Sequence, residues 1–126
     1  MFIDLTPEQH ALRLKCRDYF QALMTPELKA RMRGAEGGDE YRELIRKMGR
    51  DGWLAIGWPK EFGGPGFTTT QKYIFEMEMA KAGAPGTSPF GPKMCAPVIM
   101  KYGSDEQKKR HLPPMLNSDL IWCQGY

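Results

Sequence analysis

Three times along this chain a hydroxyl residue is followed, three positions later, by glutamine: Thr6-Pro7-Glu8-Gln9, Thr68-Thr69-Thr70-Gln71 and Ser104-Asp105-Glu106-Gln107. In each, the hydroxyl can accept from the third backbone N–H of a starting helix while the glutamine reaches back to the cap's own N–H. Pro7 stands at a first helical position, where its missing donor costs nothing. Asp105 and Glu106 face the positive end of the helix dipole. Three such starts commit most of the chain to helices and leave little room for a sheet.

The rest of the pattern agrees. Leu12, Cys16, Tyr19 and Leu23 form one stripe on a helix from Pro7 to about Leu23. Thr25-Pro26-Glu27 restarts a short helix, and Gly34 to Gly38 reads as a flexible link. Tyr41, Leu44, Ile45 and Met48 mark another helix from Asp39, which Gly49 and Gly52 should end. Residues 53–67 hold Trp53, Trp58, Phe62 and Phe67 among glycines and prolines, so a packed, structured loop is expected there. The helix over about 69–82 is apolar on more than one face and should be mostly buried. Pro89, Pro92 and Pro97 predict a kinked or two-piece helix closing at Gly103. In the last helix Leu112, Met115 and Leu116 face inward, and Pro113-Pro114 should distort it.

Leu120 to Tyr126 is rich in β-branched and aromatic residues and reads as one strand after a turn at Asn117-Ser118-Asp119. A lone strand leaves backbone donors and acceptors open on both edges. The expected fold is therefore all-α, with five or six packed helices over residues 1–119. Residues 120–126 are expected to be the first strand of a further β-domain, of which this chain is the N-terminal neighbour.

Composition excludes several classes. Eighteen Lys and Arg against 15 Asp and Glu give +3, an ordinary balance that does not mark a nucleic-acid binder. No apolar run approaches the roughly 20 residues of a membrane span, and Met1-Phe2-Ile3-Asp4 lacks a signal peptide's basic start. Three cysteines without CxxC point to free thiols in a reducing cytoplasm. His10, His111 and the cysteines are scattered without ligand spacing, so no metal site is expected. Cys95 and Cys123 sit among apolar residues, where a thiol stays protonated. Gly63-Gly64-Pro65-Gly66 lacks a phosphate-loop pattern and reads as a turn, and Lys108-Lys109-Arg110 reads as a solvated helix face. Glu76 and Glu78 lie on the apolar helix, where either can pair with a buried Arg or do acid–base chemistry. Met77, Met79, Met94 and Met100 serve equally as core or as a pliable wall for a long apolar ligand. No catalytic constellation is evident.

The ordered set of motifs resembles the N-terminal region of the acyl-CoA dehydrogenases. It comprises Leu5-Thr6-Pro7-Glu8-Gln9, Gly52-Trp53, Ile56-Gly57-Trp58-Pro59-Lys60-Glu61-Phe62-Gly63-Gly64 and Glu76-Met77-Glu78-Met79-Ala80-Lys81-Ala82-Gly83-Ala84-Pro85. Lys101-Tyr102-Gly103-Ser104-Asp105-Glu106-Gln107-Lys108, Leu112-Pro113-Pro114-Met115-Leu116 and Trp122-Cys123-Gln124-Gly125-Tyr126 complete it. The motifs are most similar to bacterial, notably actinobacterial, members acting on fatty-acid or sterol side-chain thioesters. The resemblance implies a helical domain preceding a β-domain and a C-terminal helical domain in an FAD enzyme that desaturates acyl-CoA at the α,β positions. It implies electron-transfer flavoprotein as a partner and a homo- or hetero-oligomer, and it places the catalytic base in the C-terminal domain. It also places Gln124 and Tyr126 nearest the flavin, with sheet residues of no special role as the alternative. Phe90, Lys93 and Met94 fall where the acyl-pocket wall begins, with plain core packing as the alternative. A non-catalytic helical module, binding acyl chains or completing a heteromer, is the competing reading of the whole chain.

Overall fold

The computed structural model describes residues 4–34 and 37–126. Ala35 and Glu36 of the expected glycine-rich link lie outside the described residues. Six α-helices are present among the described residues: α1 Pro7–Leu23, α2 Pro26–Met32, α3 Asp39–Arg50, α4 Thr69–Lys81, α5 Ala96–Tyr102 and α6 Asp105–Leu116. A 3-10 turn spans Lys60–Phe62 and a π-helical turn spans Phe90–Cys95, directly before α5. All three capping boxes form, with both reciprocal bonds, at Thr6, Thr68 and Ser104. Each cap satisfies donors that a helix start otherwise leaves open.

The helices belong to two compact units. The first holds α1, α2 and α4, with α1 packed along α4. Cys16, Phe20, Leu23 and Met24 are buried there with Ile74 and Phe75. The rings of Phe20 and Phe75 meet edge to face, centroids 5.2 Å apart, the arrangement favoured by their quadrupoles. α4 buries one stripe only, Ile74, Phe75 and Glu78, while Tyr73 is 61% exposed. The expectation of a mostly buried α4 is thus corrected: a helix with one neighbour hides one face.

The second unit holds most of α3, the loop after it, the π turn, α5 and α6. Ala55, Trp58, Ala96, Leu112 and Met115 form its core, with Phe62, Ile99, Leu116 and Trp122 packed against it. The tryptophan-bearing loop is therefore a core element, as its composition indicates. Gly49 does not end α3. The helix continues to Arg50, and a Cβ at Gly49 would lie 2.8 Å from the Asn117 backbone, so only glycine allows this approach. Gly52, at φ 81°, makes the stop, with the Trp53 N–H bonding back to the Met48 carbonyl. Pro113 and Pro114 do not break α6, which runs through them to Leu116. The carbonyls deprived of donors, on Lys109 and Arg110, belong to exposed residues and can be hydrated.

The strand expected over Leu120–Tyr126 is not formed: residues 121–126 carry no regular structure. A strand exists only as part of a ladder, and the described residues contain no other strand to pair with it.

Candidate functional site

The π turn arises from its prolines. The Ala96 N–H bonds to the Gly91 carbonyl, five residues back, rather than to Pro92. In this register the Pro92 carbonyl would need a donor from residue 97, which is proline and has none. That carbonyl is claimed instead by the Trp58 indole, whose Nε1–H donates to it at 2.8 Å. The amide groups of Lys93 and Met94 both donate to the Pro89 carbonyl, at 3.0 and 3.1 Å. Phe90, Lys93 and Met94 are thus brought onto one wide turn. Phe90 is half-buried, Lys93 is exposed and Met94 is 47% exposed. Met94 is therefore not part of the buried core among the described residues.

The tail meets the same turn through Trp122. A Cβ added to Gly91 would lie 3.0 Å from Cδ1 and 3.4 Å from Cγ of Trp122. The indole therefore rests on bare glycine backbone, and the His111 ring stands edge-on to it at 5.6 Å. The indole Nε1–H is buried without an acceptor among the described residues. Gly91, Trp122, Ser88 and Met115 line part of a narrow cavity of about 70 Å³. Phe90, Lys93 and Met94 are not among its lining residues.

Gln124 and Tyr126 lie on the exposed end of the tail, where the Tyr126 hydroxyl donates to Gln124 Oε1 at 2.7 Å. They bond one another and line neither the 70 Å³ cavity nor the 490 Å³ cleft of the first unit. These described residues do not by themselves make a flavin cradle.

In the first unit the strongest electrostatic feature is Glu78, 3% exposed. Its carboxylate accepts from Arg17 Nε at 3.2 Å and from Lys81 Nζ at 3.1 Å. Burial pushes its pKa up, but the hydrogen bonds and charges of Arg17 and Lys81 outweigh this and hold the carboxyl below its ordinary value. Arg17, Glu78 and Lys81 border a cleft of about 490 Å³ together with Gln21 and Lys29. Glu78 thus joins α1 to α4, the pairing role that its place on the apolar helix left open.

Cys16 is fully buried, and its thiol is pushed up to about 11, first by burial and then by the nearby Glu78 charge. Cys95 is half-buried. Cys123 is exposed, which corrects the expectation of an apolar site for it: the tail that carries it finds no sheet to join. An alkylating reagent at neutral pH is expected to label Cys123 promptly and Cys16 only after denaturation. Mass mapping of the labelled peptides checks this, and prompt labelling of Cys16 in the native chain would contradict the buried placement.

Sequence reasoning missed Trp122 and Gly91 as a pair, and Arg17 as the partner of Glu78. A tryptophan in an otherwise strand-like tail was the one available signal for the first pair. Arg17 falls beside the Cys16 stripe, and nothing local marks a partner 61 residues away.

The family model for the acyl-CoA dehydrogenase N-terminal domain matches residues 6–119. The acyl-CoA dehydrogenase FadE26 of Mycobacterium tuberculosis is 48% identical over 131 residues, covering all of this chain and 32% of that protein. FadE29 of the same organism is 42% identical over 126 residues, again across the whole chain and 32% of the relative. Among solved structures, a chain of the ChsE4-ChsE5 complex from M. tuberculosis superposes with a TM-score of 0.82 at 47% identity, covering 96% of this chain and 30% of that one. The Tcur3481-Tcur3483 steroid ACAD superposes with a TM-score of 0.79 at 38% identity, over 96% of this chain and 32% of the other. The chain spans about a third of the length of the curated relatives it matches. Among the described residues no helix is long and apolar enough to cross a membrane. Its helices, their order and the motifs that start them place this chain in the acyl-CoA dehydrogenase family, as that family's N-terminal domain.

Proposed function

We propose that this chain works as the N-terminal domain of an FAD-dependent acyl-CoA dehydrogenase that desaturates an acyl-CoA thioester at its α,β positions. The single observation that carries the reading is the family match across residues 6–119. Residues 1–119 are the helical domain, and 120–126 become the first strand of a β-domain once a partner strand is supplied. Phe90, Lys93 and Met94, grouped on the half-open π turn, form part of the acyl-pocket wall. Gln124 and Tyr126 lie toward the flavin, which is held mainly by segments beyond these residues. The exposed Tyr73, Met77, Val98 and Tyr102 belong to interfaces with further domains or subunits. Electron-transfer flavoprotein is the electron acceptor.

The names of the similar solved structures support two refinements. One is described as a steroid ACAD and another as a two-component complex. We therefore assign a steroid-bearing acyl-CoA as the substrate class and a heteromer as the working assembly.

The test uses the full-length protein, co-expressed with any neighbouring homologue that co-purifies. Under anaerobic conditions, a steroid side-chain acyl-CoA is expected to bleach the bound flavin's visible absorbance faster than a straight-chain acyl-CoA. Equal rates would overturn the substrate refinement. A flavin-loaded protein that no acyl-CoA reduces would overturn the dehydrogenase reading in favour of a non-catalytic partner module.

A further inference from the structure

The first unit holds a second feature that the proposed reaction does not use. We infer that the cleft bordered by Arg17, Lys29 and Lys81 binds the phosphoryl group of a small soluble phosphate ester. Its volume of about 490 Å³ lies in the range of small-molecule sites.

The charges select an anion. Three cations line the cleft, one each from α1, α2 and α4, against a single carboxylate, Glu78. That carboxylate is 3% exposed, and both its oxygens are taken. Oε2 accepts from Arg17 Nε at 3.2 Å; Oε1 accepts from Lys81 Nζ at 3.1 Å and from Arg17 Nη2 at 3.5 Å. Glu78 therefore braces the two cations from behind. A guanidinium held by two bonds has already given up the rotamer freedom that an exposed arginine loses on binding. The cations are not used up by this. A guanidinium carries five N–H groups and an ammonium three. Glu78 leaves Nη1 of Arg17 and part of the Lys81 ammonium open, on side chains 39% and 55% exposed. Lys29 is exposed, and its stem passes the bare backbone of Gly83: a Cβ there would lie 3.7 Å from Lys29 Cε and 4.0 Å from Nζ. Gln21 adds a neutral amide to the lining.

Phosphate fits this set better than carboxylate does. A carboxylate brings one charge and two oxygens, and would leave the cleft positive. A phosphate monoester brings a charge of about −1.5 to −2 at neutral pH and three strong acceptor oxygens. That matches three cationic groups, less the one charge that Glu78 already balances. Lysine meets phosphate as a point charge and arginine through its planar fork, so the two residue types suit one ligand.

The experiment titrates inorganic pyrophosphate, succinate and phosphatidic-acid vesicles into the full-length protein by isothermal calorimetry. Pyrophosphate should bind about tenfold or more tighter than succinate, and more weakly as salt rises. K29E reverses one cation without touching the Glu78 bonds, on an exposed helix position that tolerates the change. It should weaken pyrophosphate about tenfold or more, while K29R should stay within about threefold of the parent. K109E makes the same change of net charge on α6, in the other unit, and should leave the affinity within about twofold. Succinate bound as tightly as pyrophosphate would overturn the phosphate class. Equal losses in K29E and K109E, or no loss in K29E, would overturn the cleft as the site. Heat from the vesicles with none from pyrophosphate would overturn the soluble ligand in favour of a lipid headgroup. None of these readouts depends on flavin reduction, so they stand or fall apart from the dehydrogenase reading.

Discussion

Replacing Trp58 with alanine is expected to destabilise the chain by about 4 kcal/mol, a large share of the roughly 5–15 kcal/mol that holds a domain together. Trp58 is 5% exposed and stands in the second unit's core with Ala55, Ala96, Leu112 and Met115. Its removal opens a cavity that those small and flexible neighbours cannot fill. It also strips the Pro92 carbonyl of its donor at 2.8 Å. That carbonyl cannot return to a helical partner, because the Ala96 N–H already serves Gly91 and Pro97 has no N–H. W58F separates the two effects. It keeps most of the ring and loses the indole N–H, and it should cost about 2 kcal/mol, within the range for leaving a buried acceptor unpaired. Urea unfolding of the two variants and the parent measures both. A W58F midpoint matching the parent would show that the Pro92 carbonyl finds another donor.

The second large effect concerns Arg17. R17M should destabilise the chain by about 2–3 kcal/mol at neutral pH. Breaking a fully buried ion pair costs more, but the Arg17 side chain is 39% exposed and solvent screens part of its charge. What remains is a Glu78 carboxylate at 3% exposure with only the half-exposed Lys81 to balance it. The pH dependence has a definite sign. In the parent the Glu78 pKa is lowered on folding, so its contribution is present above the ordinary carboxylate range and is lost as pH falls through the lowered folded value. In R17M burial is opposed by Lys81 alone, so the carboxyl rises relative to the parent, and the stability gap between the two proteins should narrow on acidification from neutral pH. Melting temperatures of both proteins across pH 7 to about 4 check this. A parallel decline of the two curves would show that Arg17 does not govern Glu78.

Much of the helical layout was legible because its causes are local. The caps at Thr6, Thr68 and Ser104 act within three residues, and all three helices start where those residues stand. The two-piece segment before Gly103 follows from prolines that cannot donate. The order of the same motifs carried the family resemblance. The site was less legible. Phe90, Lys93 and Met94 could be named together, but the Trp58 indole that takes up the Pro92 carbonyl of their turn lies 34 residues away. The exposed Cys123 and the one-sided burial of α4 were misread for one reason. Each depends on a neighbour, and residue type alone reports an apolar or strand-forming tendency without saying whether a partner is there to satisfy it.

The sequence by itself determined where helices begin, where prolines force a break, and which family the chain belongs to. Those depend on backbone donors and on motifs a few residues long. Only the tertiary structure decided that Glu78 joins α1 to α4, that Gly49 admits Asn117, and that Trp122 sits on Gly91. Each of these joins residues 31 or more positions apart, at distances set by how helices pack, and no local hydrogen bond or spacing encodes such an approach.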